Sequence, residues 1–247
     1  MDWLTPDWPA PARVRAAITT RGGGVSRGPY ASLNLADHVG DDPAAVARNR
    51  ALLRQCLGLP GEPCWLRQVH GRQVARAGEC AAGCEADAVC AQGPGEVCLV
   101  LTADCLPLLI CDREATRVCA VHAGWRGLAA GVIEAAVTAM GRPAQQLMVW
   151  LGPAIGPRAF EVGEEVYRTC VGHSTAAREA LVPTRPGHWL ANIYQLARQR
   201  LTALGVGYIG GVEYCTVSDP ERFFSYRRDG VTGRMASLIW LEPEDES

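Results

Sequence analysis

Between Cys64 and His122 the chain breaks into short runs of β-forming residues bounded by turn residues, and this patterning restricts the possible folds more than any other feature. Strands are expected over residues 65–69, 73–77, 86–90, 97–102, 106–112 and 116–121, punctuated at Gly71, Gly93-Pro94-Gly95 and Asp112-Arg113. The most apolar of these, 97–101 and 106–111, read as buried strands. They fall well short of the roughly 20 residues needed to cross a bilayer, so no membrane association is expected.

Around this block the spacing changes. Asp42-Pro43 supplies an N-cap and a proline at the first helical position, and 44–57 continues at helical spacing to Gly58. A helix is expected over about 125–140, ended by Gly141 and Pro143, with others near 164–170, 175–181 and 193–204. Further strands are expected at 14–20, 147–151 and 235–241. Strand clusters alternating irregularly with helices argue for an α+β fold and against a regular βαβ array. No repeat of fixed period is present. A chain of 247 residues can bury roughly three quarters of the surface exposed by its unfolded form. The expectation is one domain spanning 1–247, or two intimately packed halves, with a proline-rich surface arm at 1–12 and a frayed acidic tail at 242–247.

Composition excludes several chemistries. All 24 basic residues are arginine, so a lysine Schiff base and a P-loop are both impossible. The net charge of −2 does not favour nucleic acid as a partner, and no heptad marks a protein partner. Eleven cysteines occur without a Cys-x-x-Cys pair, and many sit inside apolar runs, so most are expected to be reduced core residues. The start Met-Asp-Trp-Leu-Thr-Pro lacks the features of a secretory signal, which predicts a cytoplasmic location.

Three segments place a soft or borderline metal ligand at the end of an apolar run: Gln68-Val-His70-Gly, Thr102-Ala-Asp-Cys105 and Val121-His122-Ala-Gly-Trp-Arg-Gly127. Two imidazoles and one thiolate suit zinc, and three protein ligands leave a fourth position open, as in catalytic sites. Such a site brings the pKa of water from about 15.7 to about 7. The same residues also suit a cysteine nucleophile, Cys105, activated by His122 with His70 as orienting partner. A chelator separates the two readings.

Other residues are candidates for substrate contacts. The loop Thr19-Thr-Arg21-Gly-Gly-Gly could cradle an anion through glycine amides and the Arg21 fork, or be a plain glycine-rich turn. Asn34 and His38 follow in Ser32-Leu-Asn34-Leu-Ala-Asp-His38, where His38 is either a pocket acid or base or a capped loop histidine. Arg126 lies in the turn after His122. Arg227 and Arg228 stand beside Tyr226 in Phe223-Phe-Ser-Tyr-Arg-Arg-Asp-Gly230, a setting suited to a planar or anionic ligand and equally to a solvated hairpin tip.

Taken together, these motifs and Trp150-Leu-Gly-Pro-Ala-Ile-Gly-Pro157 resemble the laccase-domain family, also called YfiH or polyphenol-oxidase-like. It includes the peptidoglycan editing factor and purine nucleoside phosphorylases of this type. The resemblance covers nearly the whole chain. It implies an α+β fold with a mixed β-sandwich core flanked by helices, likened to cysteine-hydrolase toxins, and makes His70, Cys105 and His122 the zinc ligands. It further implies phosphorolysis of adenosine, inosine and methylthioadenosine, together with adenosine deamination. For deamination Asp87 or His38 is the expected proton shuttle, and for phosphorolysis Arg21 or an arginine of the Tyr226-Arg227-Arg228 segment is expected to hold phosphate.

Family relatives are also described as editing peptidoglycan precursors, which would make the chain a cytoplasmic amidase, or as copper-dependent phenol oxidases. A metal-storage or metal-sensing protein is a third class. Five histidines are too few for a multicopper centre, and Met1, Met140, Met148 and Met235 all lie outside the ligand motifs. Oxidation is therefore expected only as a side activity of adventitious copper. Two departures from the family pattern stand out: Ala36 replaces a common glycine, and Asp87-Ala-Val-Cys90-Ala replaces the more usual Asp-Ala-Leu-Val-Thr. The second removes a hydroxyl from that strand.

Overall fold

Runs that are apolar on successive residues need cover on both faces, because a strand points alternate side chains to opposite sides. The computed structural model, which describes residues 1–81 and 83–243, supplies that cover by stacking two sheets and flanking both with helices. One sheet has the strand order Trp3–Leu4, Val14–Thr19, Met235–Leu241, Val97–Thr102, Pro63–Cys64. The other has the order Tyr208–Gly210, Leu147–Leu151, Leu106–Asp112, Val118–Ala123, Ala88–Ala91, Val74–Arg76.

Cys98 and Val100 of the first sheet meet Leu109, Cys111 and Ala120 of the second in the layer between them. Their neighbours Leu99 and Leu101 face the other way, toward Leu33, Leu35 and Leu53. On the far side of the second sheet, Leu108, Ile110 and Val121 pack against Ile133, Ala136, Leu196 and Leu201. The result is an α+β fold of sheets flanked by helices. A small third sheet, ordered Glu161–Gly163, His188–Ala191, Leu181–Arg185, closes one end.

The helix Pro43–Leu57 starts and stops as its sequence dictates. The Asp42 carboxylate accepts from the Ala44 amide, and Gly58, at φ 58°, caps the C-terminus in the left-handed conformation. The helix expected over 125–140 is instead two, Trp125–Ala130 and Val132–Ala139, because Gly131 adopts φ 91° and closes the first one. Residues 175–181 form a 3₁₀ helix, Thr175–Ala180, and not an α-helix.

Residues 65–69 are not a strand. Pairing there is confined to Pro63–Cys64 and an isolated bridge between Arg67 and Glu85, while the Gln68 amide takes over the backbone of Leu101, donating to its carbonyl and accepting from its N–H. The strand expected at 116–121 runs two residues later, Val118–Ala123, because Asp112 draws Thr116 and Arg117 into a turn. That shift carries His122 into the ladder. Part of the N-terminal arm is an edge strand, with Trp3 and Leu4 opposite Thr19 and Ile18.

Glu242, expected to fray, exchanges backbone and side-chain hydrogen bonds with Arg13; residues 244–247 of that tail lie outside the described residues. Among the described residues no helix is long and apolar enough to cross a membrane, and every described cysteine is a free thiol.

Candidate metal centre

His122 lies near the end of Val118–Ala123, with its ring buried and Nδ1 2.8 Å from Asp87 Oδ1. Asp87 is fully buried just ahead of Ala88–Ala91. Besides His122, it accepts from the amides of Val69 (3.3 Å), His70 (2.9 Å) and Gly71 (2.6 Å). Those amides hold His70 at φ 58°, an uncommon conformation for a residue with a side chain. One carboxylate thus fixes two of the three candidate ligands. Cys105 completes the set from the turn between Val97–Thr102 and Leu106–Asp112, placing Sγ 3.9 Å from His70 Nε2.

All three ligand atoms lie within 4.8 Å of one another. Zinc bonds of about 2.0–2.3 Å at tetrahedral angles would separate such ligands by roughly 3.3–3.6 Å, so the set needs only a modest contraction. An ionised carboxylate can only accept, so Asp87 fixes the proton on His122 Nδ1 and leaves Nε2 as the ligand atom, a carboxylate–histidine pairing common behind metals. Gly124 makes room: a Cβ there would stand 2.9 Å from Cys105 Sγ and 3.1 Å from His70 Cδ2. On donor chemistry and placement, His70, Cys105 and His122 could hold a metal.

The electrostatics agree with a thiolate ligand. Burial pushes the Cys105 thiol up, but the His122 charge and hydrogen bonds from His122 and His70 outweigh it and lower it to about 6. Burial pulls His122 down, while Cys105 and Asp87 more than compensate and raise it to about 9. For Asp87, burial is overcome by the hydrogen bonds of His122, Gly71 and His70, which hold its carboxyl below the usual range.

The trio borders a cavity of about 580 Å³ also lined by Trp125, Phe160 and Tyr226 and by Arg126, Arg227 and Arg234. Of the residues singled out from sequence, His38, Arg126 and Arg227 reach this cavity with the three ligands. The Arg126 guanidinium lies 4.3 Å over the Trp125 ring and makes no hydrogen bond among the described residues. That of Arg227 donates to the carbonyls of Ala159 and Glu161. His38 is largely exposed beside Asp37.

The structure places the remaining candidates outside the cavity lining. Arg21 does not reach the cavity, since its guanidinium donates to the carbonyls of Ala31 and Pro220 and lies over Phe224. Arg228 is occupied by Asp229 and by the carbonyls of Thr216, Val217 and Phe223. Buried Asn34 accepts from the Arg234 amide, so it supports a cavity residue without lining the cavity itself. Asp87 has its oxygens engaged by His122 and three amides, which suits a positioning group.

Sequence reasoning missed Arg234, Phe160 and Asp104. Asp104 carries φ 94° and ties the Cys105 turn to the C-terminal segment, accepting from Thr216 Oγ1 (2.5 Å) and the Arg227 amide (2.6 Å). Its position in Ala-Asp-Cys105 was the available signal. Nothing local distinguishes Arg234 or Phe160, which reach the cavity through tertiary packing.

A centre of this kind on a sandwich of two sheets defines an α+β protein with a histidine–cysteine cluster able to hold a metal in an arginine-rich cavity. The chain belongs to the family described as multi-copper polyphenol oxidoreductase laccase, whose model matches residues 15–242. Purine nucleoside phosphorylase PA4543 of Pseudomonas aeruginosa is 57% identical over 241 residues, covering 97% of this chain and 98% of that protein. Purine nucleoside phosphorylase YfiH of Escherichia coli is 52% identical over 239 residues, covering 96% and 98%. The crystal structure of Neisseria meningitidis protein NMB0706 superimposes with a TM-score of 0.95 at 50% identity, covering 98% of this chain and 100% of its own. The names of the curated relatives support an enzyme.

Proposed function

We propose that the protein is a zinc-dependent purine nucleoside phosphorylase of the cytoplasm, taking adenosine, inosine and methylthioadenosine, with adenosine deamination as a second reaction. The observation that carries this reading is the joining, in one cavity, of a metal-ligand trio, three aromatic rings and three arginines. A cavity of about 580 Å³ falls within the roughly 300–1,000 Å³ typical of small-molecule sites. His70, Cys105 and His122 would hold the metal, which when bound supplies Lewis acidity at neutral pH.

The chain's own groups supply the rest. Arg126 is free to grip phosphate by two parallel N–H bonds, and Arg227 and Arg234 add positive charge from the same cavity. The rings of Trp125, Phe160 and Tyr226 offer flat apolar faces to a purine. In phosphorolysis a phosphate oxygen bonds to C1′ of the ribose as the bond from C1′ to the base breaks. The electron pair leaves with the purine, which takes a proton on a ring nitrogen. His38 lines the cavity with its ring held only by the neighbouring Asp37 among the described residues, and we assign it that proton and the proton transfers of deamination.

A phenol oxidase is less well supported by the residues, although the family description names copper. Among the described residues the trio is the one cluster able to hold a metal, and Met140, Met148 and Met235 are buried away from the cavity. The test is incubation of zinc-loaded protein with each nucleoside, with and without phosphate, and with a peptidoglycan precursor, read by mass spectrometry. Free base together with ribose 1-phosphate, formed only with phosphate, is the expected result. Hydrolysis of the precursor alone would replace this reading with the amidase.

A further inference from the structure

Behind the ligand trio, Cys90 and Cys119 face each other across the strands Ala88–Ala91 and Val118–Ala123. Both are buried, at 7% and 0% exposure, and their sulfurs stand 2.6 Å apart. The ladder explains the approach. The His122 amide donates to the Asp87 carbonyl, so alternation along the antiparallel pair makes Cys90 and Cys119 a non-hydrogen-bonded pair. In such pairs side chains come closest, with Cα atoms about 4.5 Å apart, inside the range of about 4.4–6.8 Å that a disulfide spans. Nonbonded sulfurs need more room than this, so the two thiols are placed for a covalent bond.

We infer that Cys90 and Cys119 are a redox modification site, closing to a cross-strand disulfide when the protein meets a small peroxide. Cys90, the more exposed of the two, reacts first: its thiolate sulfur bonds to a peroxide oxygen, the O–O bond breaks, and hydroxide leaves and is protonated to water. Cys119 then attacks the resulting sulfenic acid. The S–S bond forms, the S–O bond breaks, and a second water leaves with the Cys119 proton. Two thiols lose two electrons and two protons, and one hydrogen peroxide becomes two waters. A peroxide is small enough for a site this buried, whereas a bulky disulfide is not. Burial and the Cys90 contact hold the Cys119 thiol well above its ordinary range, which suits a resolving thiol that reacts only with an activated partner.

The closed loop would contain Val97–Thr102, Cys105 and Leu106–Asp112, while the bond itself would sit three residues from both Asp87 and His122. Oxidation therefore staples the strands under the metal ligands and restricts the unfolded chain.

The experiment treats zinc-loaded protein with hydrogen peroxide, alkylates residual thiols under denaturing conditions, digests, and maps linked peptides by mass spectrometry. The expected result is a Cys90–Cys119 peptide pair released by dithiothreitol, with Tm raised by several degrees. Cys90→Val and Cys119→Val, each checked for folding by circular dichroism, should show neither change. Recovery of Cys90 and Cys119 both alkylated, or a link from Cys90 to Cys98, would overturn the assignment. A linked protein with unchanged Tm would overturn the stapling.

Discussion

The ligand side of the cavity and its arginine side are built on different principles. His70, Cys105 and His122 stand at strand ends or tight turns, and Asp87 locks two of them through a side chain and three amides. Arg126, Arg227 and Arg234 arrive on long side chains from three separate segments, and Arg126 has only an aromatic ring beneath it. The first side is preorganised by backbone; on the second, carbonyls hold Arg227 and Arg234, and Arg126 is left to close on a ligand. A metal needs fixed geometry before it binds, whereas an anion can draw a guanidinium group such as that of Arg126 to itself.

Removing a ligand should separate the two sides most sharply. His122→Ala or Cys105→Ala should take the metal from near one per chain to near none by elemental analysis, and nucleoside turnover to background. Asp87→Asn comes next. An amide cannot accept from His122 and three backbone N–H groups as a carboxylate does, so zinc affinity measured by chelator competition should fall by about 10–100-fold, with a lower Tm. An unchanged affinity would mean that the ligands hold themselves.

On the arginine side, Arg126→Ala should raise the KM for phosphate by about tenfold, the loss expected of a charge-assisted pair. Tm and metal content should change little, because among the described residues the Arg126 guanidinium makes no hydrogen bond or ion pair and only lies over the Trp125 ring. Arg21→Ala should do the reverse, lowering Tm through its lost carbonyl contacts and leaving the KM alone.

The smallest effect concerns pH. In metal-free protein Cys105 is held at about 6 against an ordinary 9.0, so the thiolate prevails above pH 6 and is lost as pH falls through that value. Alkylation of Cys105 by iodoacetamide should show its midpoint near pH 6, and His122→Ala should move that midpoint up toward 9.

This contrast also marks what the sequence revealed. Strand runs at 97–102, 106–112, 147–151 and 235–241 and the capped helix ending at Leu57 were legible because periodicity, caps and turns are local. The ligand trio was legible because each member ends such a run, although resemblance was needed to join residues so far apart in the chain. Arg21, Asn34 and Arg228 looked equally suited to an anion, and only tertiary contacts show their polar groups engaged by carbonyls, amides and carboxylates. Arg234 and Phe160 carry no local mark. The short strands Glu161–Gly163, Leu181–Arg185 and His188–Ala191 escaped notice because they are brief, and Leu181–Arg185 is also largely exposed and includes Pro183. Asp87 and Asp104 were visible as acids, but their positioning duties depend on partners far away in sequence.

The central claim is that this metal centre is the reactive site. It is tested most directly by phosphate-dependent release of base from adenosine, measured on zinc-loaded protein, after chelation, and after zinc is restored. The account predicts turnover that disappears with the metal and returns with it. Undiminished turnover by protein shown to be metal-free would contradict it.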